Sequence, residues 1–224
     1  MKQPELSLII PFYNDSGCPI PFVKELEKEL KGIDYELILV DDCSKDSTPK
    51  ELISLKNKRV IVILNKNNKN YGGAIMTGFN IAKGKILGFT CGDGEVTAKD
   101  IAEIYKKMED SDVIKAVRIN RKDGFQRKII SKTFNLLCSL RFGLGLGDIN
   151  GYPVYFKKEI YEKLPKLKTD SLFNLDLYKK MVLRGYKIKE ISIIHKERSE
   201  GTSNMNFTKI SKMFFGFLKY CVEQ

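Results

Sequence analysis

Residues 36–48 read ELILVDDCSKDST, an apolar run that breaks into two adjacent carboxylates and a polar turn. A run this short, rich in branched aliphatic residues and without helical spacing, reads as a buried strand. Asp46-Ser47-Thr48 then reads as the N-cap of a helix. The same unit recurs outward in both directions. Residues 6–10, 60–64 and 86–91 are further short apolar runs, separated by candidate helices at 21–30, 48–55 and 73–83. Strands alternating with helices predict an α/β fold, a mostly parallel sheet covered on both faces. Ligands of such sheets bind outside the carboxyl ends of the strands, so the residues after each strand are the ones to read for chemistry.

The second half has a different texture. Ile101, Ile104, Tyr105 and Met108 fall at helical spacing over 98–108, and 112–117 reads as a strand. A long apolar helix over 125–142 carries Lys128, Lys132 and Arg141. A glycine-rich stretch follows over 143–151; with no strand before it and no helix after it, it reads as a loop and not as a dinucleotide fingerprint. A helix over 172–184 and a strand over 187–194 come next. Residues 207–221 form a basic amphipathic helix with Ile210, Met213, Phe214, Phe217, Leu218 and Cys221 on one face.

The chain has 224 residues, 42% of them hydrophobic and 30% charged, which suits one sizeable core. No run of eighteen apolar residues occurs, so no membrane-spanning helix is expected. The opening residues run directly into a strand and are not expected to be a signal peptide. Five cysteines without a CxxC pair are expected to be reduced thiols in the cytoplasm. The net charge of +11 implies an anionic partner. Nucleic acid is the poorest fit, because aromatic and basic residues do not interleave on any strand as a stacking platform requires.

Three strands end in chemistry at one edge of the sheet: Pro11-Phe12-Tyr13-Asn14, Asp41-Asp42, and Cys91-Gly92-Asp93-Gly94-Glu95. A carboxylate there can accept hydrogen bonds from a base or a ribose. Asp93 and Glu95, two residues apart, can share a hard divalent cation, Mg2+ or Mn2+, that neutralises a diphosphate. For Asp41 and Asp42 a turn residue and a salt bridge are the plainer alternatives. His195, the single histidine, follows an apolar strand and reads as structural.

The stretches SLIIPFYN at 7–14, ELILVDDCSKDST at 36–48 and NKNYGGAIMTGFNIAKGKILGFTCGDGE at 68–95 resemble the nucleotide-binding half of the family 2 glycosyltransferases of GT-A fold. The resemblance implies a nucleoside-diphosphate sugar as donor. Pro11, Tyr13, Asn14 and Asp41 would line the nucleotide, Asp42 would sit near the ribose, and Asp93 would serve the leaving diphosphate. Two departures matter. Cys91 stands at the first aspartate of the D-x-D pattern, and a neutral thiol is a poor Mg2+ ligand. Asn70 stands where glycine is usual, and asparagine tolerates the left-handed conformation best after glycine.

Arg118, Arg127 with Ser131, the stretch from Gly147 to Tyr152, and Arg198 with Ser203 resemble, in that order, the dolichol-phosphate mannose synthase-like polyprenyl-phosphate glycosyltransferases. The resemblance implies that Arg118, Arg127, Ser131, Arg198 and Ser203 hold the acceptor phosphate and the donor diphosphate, with Arg198 also assisting catalysis. Arginine forks and hydroxyls suit a phosphate monoester. Surface salt bridges and a plain turn remain the alternatives for these residues. The implied organisation is a GT-A domain over 1–204, with a nucleotide half at 1–97 and an acceptor half at 98–204, followed by the amphipathic helix at 205–224. The enzyme would sit peripherally on the cytoplasmic face of a membrane, with or without an anchoring partner. A soluble transferase using Asp148 or Asp176 as general base, and a non-catalytic nucleotide-sugar binder, are the rival expectations.

Overall fold

The computed structural model describes residues 3–108, 111–120, 125–194 and 207–222, with side chains from 128 onward in the helix beginning at 125 and from 214 onward in the last helix. Seven strands form one sheet: β1 (Leu6–Phe12), β2 (Tyr35–Asp41), β3 (Val60–Leu64), β4 (Ile86–Phe89), β5 (Val113–Ile119), β6 (Val154–Lys157) and β7 (Ile188–Ile194). Their order is β3-β2-β1-β4-β6-β5-β7. All pairings are parallel except those of β6, which runs antiparallel to both β4 and β5. The parallel half follows the sequence expectation. Strand β6 and the short helix after it are additions that the sequence reading did not contain.

Among the described residues, eight helices connect and cover the strands: α1 (Pro19–Glu29), α2 (Thr48–Ser54), α3 (Asn70–Phe79), α4 (Ala98–Lys106), α5 (Phe125–Phe142), α6 (Lys158–Lys163), α7 (Phe173–Val182) and α8 (Phe207–Val222). The central strands are buried on both faces, which is why β2 reads as a continuous apolar run instead of an alternating one. Two core layers result. One joins Leu8, Leu37, Tyr155 and Ile101 on the α1 and α4 face; the other joins Ile9, Val40, Phe89, Phe173 and Tyr178 on the α3 and α7 face. The end of α5 and α8 belong to the second layer, through the Phe134–Phe217 and Phe142–Tyr220 ring contacts at 5.6 and 5.5 Å. The Tyr220 hydroxyl donates to Asp176 Oδ1 at 2.6 Å, pinning α8 to α7.

The direction of β6 positions the site. Because β6 is reversed, its start lies at the same sheet edge as the carboxyl ends of β1, β2, β4 and β5. Residues 13–15, 42–48, 90–95, 118–120 and 147–152 therefore converge. The order reverses between β2-β1 and β4, which opens a crevice at that switch point.

Candidate active site

The crevice holds a cavity of ≈ 290 Å³ between the ends of β1 and β4, lined by Pro11, Tyr13, Asp42, Tyr71, Cys91 and Asp93 among others. Its floor is backbone brought close: a Cβ at Gly92 would run into the Phe12 ring. The wall from β2 is a set of loops tied by carboxylates. Asp41 Oδ2 accepts from the amides of Cys43 and Ser44, both at 3.1 Å, while its buried Oδ1 has no partner. Such an orphaned acceptor at a strand end is costly unless a ligand N–H meets it. Asp42 Oδ1 accepts from Asn65 Nδ2 and from the Lys69 amide, each at 2.9 Å, so the carboxylate braces the loop leading into α3. That loop ends in Asn70 at φ 63°, the left-handed conformation its side chain tolerates. Asn14 accepts from the Lys45 amide at 2.8 Å and is exposed, a clip between the β1 and β2 loops. Asp46 Oδ1 accepts from the Thr48 amide at 3.0 Å, a turn just before α2; the N-cap residue is Ser47, whose hydroxyl makes no capping bond and donates to Glu51 at 2.6 Å instead.

The other wall carries the carboxylates. Asp93 and Glu95 are 6% and 7% exposed. The Glu95 amide donates to Asp93 Oδ1 at 3.2 Å, and the Tyr152 hydroxyl donates to Glu95 Oε2 at 2.8 Å, with Asp93 Oδ2 at 3.5 Å. Burial and the Asp93 charge push the Cys91 thiol well up, so it stays neutral. Burial, with the Cys91 and Asp93 side chains adding to it, does the same for Tyr152, which keeps its proton and remains a donor. Among the described residues no three His, Cys, Asp or Glu side chains gather around one point. That donor set does not make an all-protein cage. It does fit a Mg2+ or Mn2+ ion that takes one or two carboxylates from the protein and the rest from phosphate oxygens and water.

A second cavity, also ≈ 290 Å³, lies beside the first and is lined by Arg118, Asn120, Lys128, Ser131, Lys132, Asn135, Gly147 and Asp148. Arg118 and Ser131, named apart in the sequence, thus meet. Lys128, Ser131, Lys132 and Asn135 stand at i, i+3, i+4 and i+7 on α5, one face of the helix, a spacing that was legible and overlooked. Arg118 pairs with Asp148 through Nε at 2.8 Å and Nη2 at 3.2 Å, and its guanidinium lies 4.9 Å from the centre of the Tyr152 ring. Beneath it, Lys115 is fully buried and donates to the Asp148 carbonyl at 2.5 Å and to Glu190 Oε1 at 3.0 Å. Burial lowers the Lys115 pKa and Glu190 opposes that shift. Glu190 in turn receives the Gly147 amide at 3.1 Å, so the 147–148 turn rests on a half-buried ion pair.

These positions bear on the rival bases. Asp148 is engaged by Arg118. Asp176 accepts from Tyr220 at 2.6 Å, Lys180 at 2.6 Å and the Lys168 amide at 2.9 Å, a structural role inside the α7–α8 contact. Arg127 lies in the first turn of α5, with its side chain outside the described residues, and His195, Arg198 and Ser203 lie outside them altogether.

Residues 7–183 match the family model described as Glycosyl transferase family 2. The chain belongs to that family. Relatives in it include the undecaprenyl-phosphate 4-deoxy-4-formamido-L-arabinose transferase of Proteus mirabilis, 30% identical over 97% of this chain and 68% of the relative. The enzyme of the same description from Photorhabdus laumondii is 30% identical over 96% of this chain and 67% of its own length. The chain thus spans about two thirds of these relatives. Among solved structures, glucosyl-3-phosphoglycerate synthase from Mycobacterium tuberculosis, in complex with Mn2+, UDP and glucosyl-3-phosphoglycerate, superposes with a TM-score of 0.76 over 97% of this chain and 80% of that one, at 15% identity. That likeness establishes the GT-A fold. As a family 2 glycosyltransferase the protein is a nucleotide-sugar-dependent enzyme.

Proposed function

We propose that this family 2 transferase moves a sugar from a nucleoside diphosphate to the phosphate of a polyprenyl lipid, with inversion at the anomeric carbon, on the cytoplasmic face of a membrane. The observation that carries the reading is the three-faced helix α5. Lys128, Ser131, Lys132 and Asn135 face the second cavity, Phe134 and Cys138 face the core, and Ile129, Leu136 and Leu140 are exposed on a third side. A helix that offers phosphate-binding groups on one side and bare apolar groups on the next suits a lipid phosphate held at a bilayer surface. On the neighbouring α8, Phe214, Phe215 and Leu218 are also exposed. No helix among the described residues is long and apolar enough to cross a membrane. Contact is therefore peripheral in this reading, with an anchoring partner as one way to strengthen it. The relatives' acceptor, undecaprenyl phosphate by name, supports the same class.

The nucleotide would lie along Pro11 and Tyr13, its base meeting the orphaned Asp41 Oδ1. Asp93, with Glu95 beside it, would hold Mg2+ or Mn2+, which when bound neutralises the diphosphate and stabilises it as a leaving group. Arg118, Ser131 and the two lysines would hold the acceptor phosphate, with Arg127, Arg198 and Ser203 added on the resemblance alone. A phosphate oxygen attacks the anomeric carbon as the bond to the diphosphate oxygen breaks. The acceptor is already ionised near neutral pH, so no general base is needed, in keeping with Asp148 and Asp176 being engaged elsewhere.

The test is transfer of labelled sugar from a panel of nucleotide sugars into polyprenyl phosphate in vesicles with Mn2+, read in the organic extract. Label in the lipid for one donor is expected. No labelled lipid across the panel, with label appearing on a soluble acceptor, overturns the reading.

A further inference from the structure

Tyr152 touches both halves of the site and lines neither cavity. Its hydroxyl donates to Glu95 Oε2 at 2.8 Å and lies 3.5 Å from Asp93 Oδ2. Its ring carries the Arg118 guanidinium at 4.9 Å. Three features fix it there. It is 5% exposed, so the ring cannot swing into solvent. It precedes β6, whose reversed direction aims it back at the end of β4. Gly151 before it passes so close to β5 that a Cβ would run into the Ala116 carbonyl.

We infer that Tyr152 is a positioning residue that sets the donor-side carboxylates and the acceptor-side arginine in fixed relation, its hydroxyl holding Glu95 and its ring holding Arg118. The inference rests on the proposed donor and acceptor cavities. Two buried carboxylates side by side repel each other, and each needs donors to stay inside. Without the hydroxyl, Glu95 Oε2 loses a short donor that helps to hold it beside Asp93. On the other side, Arg118 has spent Nε and Nη2 on Asp148, so its remaining N–H groups are aimed by what lies under the guanidinium plane. A flat aromatic ring orients that plane by cation–π attraction; an aliphatic side chain does not.

The hydroxyl and the ring have separable effects, and this gives the test. Tyr152→Phe keeps the ring and removes the hydrogen bond. Mn2+ affinity in the presence of UDP, read by electron paramagnetic resonance without acceptor, is expected to fall about tenfold. The KM for polyprenyl phosphate is expected to stay at the wild-type value. Tyr152→Leu is expected to show the same metal loss and in addition a raised KM for polyprenyl phosphate. Tyr152→Phe added to Glu95→Gln is expected to cost little more than Glu95→Gln alone, because the carboxylate that the hydroxyl holds is already gone. Wild-type Mn2+ affinity in folded Tyr152→Phe overturns the inference. A lowered melting temperature in both variants with ligand binding unchanged also overturns it, since it assigns the tyrosine to packing alone. A wild type that labels no polyprenyl phosphate overturns the acceptor reading, while the Mn2+ measurement still decides the tyrosine.

Discussion

The guanidinium of Arg118 meets the carboxylate of Asp148 through two nitrogens, Nε to Oδ2 at 2.8 Å and Nη2 to Oδ1 at 3.2 Å, with both groups nearly out of solvent at the carboxyl end of β5. Removing one partner of such a pair leaves a buried charge uncompensated. Asp148→Ala should therefore lose about 3–5 kcal/mol of stability in urea unfolding. Arg118→Lys keeps the charge and loses the fork, so it should cost less stability and still weaken transfer to the lipid phosphate. Equal, negligible effects of both changes on unfolding would show that the pair is not buried in solution.

Of Asp93 and Glu95, Asp93 is the one that lines the first cavity. Asp93→Asn should abolish divalent-cation-dependent transfer while leaving the fold intact. Cys91→Asp should preserve or raise Mn2+ affinity, because a hard oxygen replaces a neutral thiol at the neighbouring strand end. Full activity in excess chelator would remove the cation from the mechanism.

Asp41 keeps a turn with one oxygen and leaves the other unmatched. Asp41→Ala should weaken nucleoside diphosphate binding about tenfold or more and cost roughly 1–2 kcal/mol of stability from the lost turn bonds. Wild-type affinity by calorimetry would move the base pocket elsewhere.

How much of this was readable follows from how the information is laid along the chain. Strands β1 to β4 and the turns after them carry their chemistry in consecutive residues, so the Asp41-Asp42 and Asp93 edges were legible from 36–48 and 91–95 alone. Strand β6 was not. It is four residues long, Val154–Lys157, and has no period of its own to display. Its existence depends on pairing with β4 and β5, elements far away in sequence. Tyr152 was hidden for the same reason, since its partner Glu95 is 57 residues away. Helix α3 was expected to start at residue 73 but starts at Asn70, because the two glycines before Ala74 pack under Phe173 and Lys69. Asp176 looked like a free acid until the fold brought Tyr220 onto it.

Burial, with nearby Cys221 as a lesser cause, pushes the Cys138 thiol up to about 12. The unfolded thiol titrates near 8.5. Between those values the unfolded chain releases a proton that the folded chain retains, so the contribution is complete below about pH 8.5 and is lost as pH rises toward 12. The loss is at most about 1.4 kcal/mol per pH unit. Cys138→Ala adds a cavity cost that does not vary with pH. Urea unfolding at pH 8 and pH 10 should therefore show a smaller decline for the variant than for the wild type; parallel declines would show that the thiol is accessible in the native state.

The exposed side of α5 gives the remaining prediction. Leu136 and Leu140 are 58% and 75% exposed, and Phe215 on α8 is 68% exposed. The contacts with α8, Phe142–Phe217 at 6.2 Å and the Arg141 hydrogen bond to the Cys221 carbonyl at 2.9 Å, lie on the side of α5 turned away from Leu136 and Leu140, so α5 presents these two residues on a face of its own. None of the three exposed residues supports the core, so charging them should leave folding and donor binding alone. Apolar burial in the interface and attraction of the lysines to anionic headgroups add together. The attraction is worth about 1 kcal/mol per Lys or Arg near the surface and is screened by salt. Leu136→Glu with Leu140→Glu should therefore release the protein from vesicles containing phosphatidylglycerol in a flotation assay, and raised salt should weaken wild-type binding in the same assay. Transfer to polyprenyl phosphate in vesicles should fall with the loss of binding, and transfer to a short-chain, detergent-dispersed phosphate should not. If the double variant floats with the vesicles as the wild type does, this face is not the one that meets the membrane, and the acceptor chain must leave the second cavity by another side.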